Sequence, residues 1–163
     1  AGLRAAEREL GMLAKPAHLP RERPAAEGLE IRRVATTAEL QDFIRVTAAN
    51  WEPPDEQVRV FFEAAAGVVL DPACPMRLFV GYADGVAAAA SELFLSPQVA
   101  GIHMVSTGRE FRRRGFGLAM TWTAAWEGCR EGAELVALQA SEMGKGVYER
   151  LGFRGCGELV EFQ

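Results

Sequence analysis

The stretch Val105-Ser106-Thr107-Gly108-Arg109-Glu110-Phe111-Arg112-Arg113-Arg114-Gly115-Phe116-Gly117 combines residue types suited to holding an anion. It lies between a segment with strand character and one with helical periodicity. The first N–H groups of a helix have no intrahelical partner, and the helix dipole adds partial positive charge there. Glycines at 115 and 117 let a ligand approach the main chain, and arginines supply charge and forked donors. Strand, arginine-rich turn, Gly-x-Gly and helix together make a cradle for a pyrophosphate. Each part alone has a plainer meaning: two glycines fit a tight turn, and Arg109, Arg112, Arg113 and Arg114 fit a solvated basic surface. Two nucleotide sites are poor fits. The dinucleotide fingerprint requires a third glycine where Ala119 or Met120 follows, and the phosphate loop of nucleotide triphosphatases requires an absent Gly-Lys-Ser/Thr.

Arg112-Arg113-Arg114-Gly115-Phe116-Gly117 matches the pattern Arg/Gln-x-x-Gly-x-Gly/Ala at every fixed position. In this it resembles the acyl-CoA signature of the GNAT superfamily of N-acetyltransferases. Val105-Ser106-Thr107 resembles that family's Val-Ala-Thr strand end. Val147-Tyr148-Glu149-Arg150-Leu151-Gly152-Phe153 resembles its Tyr-Glu-Lys-Leu-Gly-Phe segment. The resemblance covers residues 29–163. It implies an α/β (α+β) acyl-CoA N-acyltransferase fold, with a mixed central sheet flanked by helices and two splayed strands that hold CoA. It implies acetyl transfer from acetyl-CoA to a primary amine of a small molecule or peptide. Main-chain groups of Val105 and Thr107 would then hold pantetheine. The segment Arg112, Arg113, Arg114, Gly115, Phe116, Gly117 and Leu118 would hold the pyrophosphate. Tyr148 matches the family's general-acid tyrosine. Ser141 stands where many members carry an asparagine that contacts the cofactor. The acceptor site would lie at the loop with Trp51 and Glu52, between the first two helices.

The residues leave the base open. Glu92 shares a strand face with Ala88 and Ala90, whose small side chains leave room for a substrate. A solvent-exposed strand glutamate fits as well. His103 titrates near neutrality and, by simple alternation, shares a face with Val105 and Thr107. A packed, non-catalytic histidine fits it too. Trp51 suits either an acceptor wall or a loop anchor, and Glu52 or Glu92 suits pairing with a substrate ammonium. Gly144 and Gly146 disfavour a helix interior, so either the helix there starts late or something approaches closely.

The elements that position these residues follow from periodicity. Residues 30–34 read as a strand, followed by a helix over 38–50 capped at Thr36-Thr37 and another over 55–66. Strands over 77–83 and 86–96 flank the turn signal Asp84-Gly85. A strand over 99–107 is joined to another over 134–140 by a helix over 118–130, a βαβ crossover. A short helix over 141–151 and closing strands over 153–162 follow. The opening residues 1–15 do not settle between helix and strand, and proline-rich 16–28 reads as a linker. Residues 1–28 are therefore expected to be an N-terminal extension or a remnant of an upstream segment, with the acetyltransferase domain over 29–163.

The bulk properties exclude several classes. A chain of 163 residues, 49% hydrophobic and 25% charged, suits one globular domain. A net charge of -4 disfavours nucleic acid as a partner, and no apolar run is long enough to span a membrane as a helix. Three cysteines and two histidines without ligand spacing argue against a disulfide framework and a metal site. They point to a reducing, cytoplasmic setting. The fold allows a homodimer. The competing reading is a catalytically silent CoA-binding sensor or accessory domain.

Overall fold

The computed structural model describes residues 2 and 4–162. Seven strands form one mixed sheet: β1 (Ala5–Ala14), β2 (Leu29–Arg33), β3 (Met76–Ala83), β4 (Val86–Leu95), β5 (Val99–Thr107), β6 (Leu135–Ala140) and β7 (Arg154–Phe162). The helices are α1 (Thr37–Ala48), α2 (Glu56–Ala64), α3 (Ala66–Val69), α4 (Phe116–Arg130) and α5 (Lys145–Glu149). Strand order is β2-β3-β4-β5-β6-β1-β7, antiparallel throughout except for the β5–β6 pair.

Two apolar clusters lie on the two faces of the sheet. Leu40, Phe43 and Ile44 of α1 and Val58 and Phe62 of α2 pack with Leu78, Val80 and Tyr82 of β3. On the other face Phe116, Ala119, Met120 and Ala124 of α4 pack with Ala89, Leu93, Ala100 and Ile102. Small residues allow α4 to sit close: a Cβ on Gly128 would clash with the Cβ of Ala100. Helix α1 begins with a reciprocal capping box, in which Thr36 Oγ1 accepts from the Glu39 amide and the Glu39 carboxylate accepts from the Thr36 amide.

Three sequence expectations change. Residues 5–14 lie before the expected domain start at Leu29, yet they form an interior strand that pairs antiparallel with both β6 and β7. Gly11 makes this close fit possible, since a Cβ there would meet Leu159 at 3.1 Å. The helix expected over 141–151 is confined to Lys145–Glu149, because residues 141–144 form a turn whose carbonyls and hydroxyl receive the first amides. The closing strands are one long strand, β7. Among the described residues no helix is long and apolar enough to cross a membrane, and no cluster of potential metal ligands occurs.

Candidate active site

The parallel strands β5 and β6 pair only from Val99↔Leu135 to Ile102↔Leu138. Beyond that point they separate, and a cleft of about 700 Å³ opens between them. Its walls bring together Val105, Thr107, Arg112, Arg113 and Gly117 from the β5–α4 side and Ser141 and Tyr148 from the β6–α5 side. Trp51 closes it from the α1–α2 loop. A contiguous recess of about 260 Å³ adds Gly115, Phe116 and Leu118, together with Arg150.

The separation begins at a β-bulge. Ala90 pairs with Ser106 and Glu92 with His103, so β5 carries one extra residue here. Met104 takes a left-handed conformation, φ 51°. The extra residue shifts alternation: Val105 packs with the Ile102 side of the sheet, whereas His103 stays on the face it shares with Glu92. The expected common face for His103, Val105 and Thr107 is therefore lost. The His103 ring lies instead against Gly101, where a Cβ would come within 2.9 Å of Nε2.

The arginine- and glycine-rich segment between β5 and α4 curls tightly. A short 3-10 turn, Arg109–Phe111, leads into Arg113 at φ 65° and Gly115 at φ 81°. The first backbone bond of α4 runs from the Ala119 amide to the Gly115 carbonyl. Among the described residues the amides of 113–118 thus donate to no backbone carbonyl, and they lie at the N-terminal end of a fifteen-residue helix, where its dipole is positive. Left-handed residues within such a turn form a concave nest for an anion. Arg112 Nε donates to the Thr107 carbonyl at 3.2 Å and so fixes the exit of β5 against the loop. Arg114 turns away: its guanidinium lies 4.7 Å from the Phe116 ring centroid and 5.9 Å from that of Phe111.

Tyr148 forms part of the cleft wall, and its hydroxyl makes no hydrogen bond among the described residues. Burial first, and the nearby Glu9 carboxylate second, push its phenol above the ordinary range, so it stays protonated. Gly144, at the start of α5, makes room for its ring. Ser141 Oγ accepts from the Gly144 amide at 3.3 Å.

Glu92 and His103 face each other across β4 and β5 but are not part of the cleft wall. Glu92 is buried, and burial raises its carboxyl above the usual range; burial lowers His103. Glu52 forms an ion pair with Arg109 and lines a separate recess of about 300 Å³ with Arg45 and Glu110. The cleft wall also contains Asn50, from the expected acceptor loop, and Gly144, where a close approach was expected, together with Met143 and Val147, which sequence reasoning did not place there. Val147 lay within the Tyr148 segment already singled out. The bond of Asn50 to Ser106 had no such signal, because the two are 56 residues apart.

The sequence matches the acetyltransferase (GNAT) domain family over residues 19–148. The fold is similar to a GCN5-related N-acetyltransferase from Kribbella flavida, with TM-score 0.77, 21% identity, and 99% of this chain and 59% of that chain covered. It is also similar to one from Sphaerobacter thermophilus, with TM-score 0.79, 19% identity, and 99% and 52% covered. This chain thus spans little more than half of either. An aminoglycoside N-acetyltransferase solved in complex with CoA gives TM-score 0.69 and 18% identity, with 83% and 93% covered. No curated protein matches the sequence.

Proposed function

Because the chain belongs to the acetyltransferase (GNAT) family, we propose that it transfers the acetyl group of acetyl-CoA to a primary amine of a small molecule or peptide. The observation that carries this reading is the set of unpartnered amides at 113–118 beside a cleft that opens where β5 leaves β6.

The residues present suit CoA. The curled loop and helix start offer main-chain donors to a diphosphate, and Arg112, Arg113 and Arg150 add positive charge around the recess. Val105 and Thr107 present unpaired strand backbone on the β6 side for an amide-rich arm. Bound acetyl-CoA supplies a thioester as the acetyl donor. Tyr148 holds a proton on its phenolic oxygen and is the donor for a departing thiolate. Trp51 walls the acceptor side. Glu92 and His103 are the candidate bases, acting through water because neither lines the cleft.

The alternative is a CoA-binding domain without turnover. The positions of Glu92 and His103 outside the cleft wall, and serine at 141, favour it. Thiol release from acetyl-CoA with a panel of amines, comparing the wild type with Tyr148→Phe, decides between them. Turnover that falls in the variant supports the enzyme; CoA binding with no turnover on any amine supports the silent domain.

A further inference from the structure

Met104 is a non-glycine residue held at φ 51°. Such a conformation is costly for a side-chain-bearing residue and persists only where the surroundings fix it. Here a contact within β5 is itself held from outside the strand. Asn50 Nδ2, just past the C-terminus of α1, donates to Ser106 Oγ at 2.6 Å. Ser106 Oγ in turn donates to the Met104 carbonyl at 3.0 Å. Ser106 is buried, 1% exposed, so its hydroxyl has little water to replace a lost partner. The relay spans the bulge beside which Val105 joins the cleft wall.

We propose that Asn50, acting through Ser106, is a positioning residue for the pantetheine arm of CoA. This rests on the acetyl-CoA reading above. The relay holds Met104 left-handed and thereby presents the backbone of Val105 and Thr107 to the arm. The phosphate loop lies beyond Gly108 and has its own fixings, the Gly108 amide to the Ala88 carbonyl at 2.9 Å and Arg112 to the Thr107 carbonyl. Losing the relay should therefore weaken recognition of the arm and spare recognition of the nucleotide.

The test uses two probes on the full chain: CoA, and adenosine 3′,5′-bisphosphate, which has the nucleotide but no pantetheine. Ser106→Ala and Asn50→Ala should each weaken CoA about tenfold, the scale of one lost buried hydrogen bond. Binding of the bisphosphate should stay within about twofold of wild type, which is within the scatter expected of independent sites. Because the two residues act as one unit, the double variant should bind CoA no more weakly than the weaker single variant. Equal weakening of both probes, additive losses, or CoA binding unchanged in both single variants would overturn the proposal. Ser106→Ala removes only one oxygen and serves if Asn50→Ala folds poorly. A wild type that fails to bind CoA would instead refute the acetyl-CoA reading itself.

Discussion

A Cβ placed on Gly144 would lie 2.9 Å from Cε2 of Tyr148, nearer than any real Cβ contact. The glycine at the start of α5 therefore sets where the phenol stands in the cleft. Gly144→Ala should rotate or displace the ring while leaving the fold intact. We expect kcat with the best amine to fall by about tenfold, as misplacement of a catalytic group does, with CoA affinity little changed. Steady-state kinetics beside CoA titrations check this; unchanged kcat would mean that the ring position is immaterial.

Tyr148→Phe should lower kcat by about a hundredfold, the usual contribution of a positioned acid. The pH profile carries more information. Burial and then Glu9 raise the phenol above its ordinary value of 10.0, so the wild type should keep its activity into alkaline pH. Glu9→Gln removes the repulsion that helps keep the proton on the phenol. The alkaline limb of kcat should then move to lower pH. A limb that stays put would separate Tyr148 from the proton transfer.

Gly115 is held at φ 81°, and a Cβ there would meet the Ala25 carbonyl at 3.0 Å. Gly115→Ala should cost about 1–2 kcal/mol from the left-handed conformation alone. Part of that cost should appear as weaker CoA binding, because the same residue shapes the phosphate loop. Thermal melting with and without CoA measures both.

Glu92 gives a pH signature in stability. Burial raises its carboxyl, so the folded chain binds that proton more tightly than the unfolded chain does. Stability should therefore fall as pH rises from the unfolded carboxylate value toward the higher folded one. Glu92→Gln, neutral throughout, should raise Tm at neutral pH and give no gain near about pH 4, where both side chains are uncharged. If Glu92 is also the base, the same variant loses turnover with CoA affinity intact.

The sequence revealed most of the frame because its signals are local. The strand Val99–Thr107 has the predicted limits, and α4 starts two residues before the predicted Leu118. Gly115 and the arginines announced the loop. What was hidden depends on distant partners. The first strand gains its identity only from β6 and β7, far along the chain, and shows no clean alternation by itself. The bulge at Met104 places one extra residue in a run that reads as regular strand, so simple alternation put His103 on the wrong side. The ion pair of Glu52 with Arg109, 57 residues away, had no local signal either. The Arg114 guanidinium looked free to add charge to the loop, but it lies over two neighbouring aromatic rings.

The central claim is that main-chain amides at 113–118 hold the diphosphate of CoA. Amide resonances of the isotope-labelled chain, followed while CoA is added, test it most directly. The account predicts saturable shifts at residues 113–118 together with Val105 and Thr107, and none on the exposed faces of α1 and α2. Saturating CoA that leaves these amides unmoved, or that shifts a different region, would contradict it.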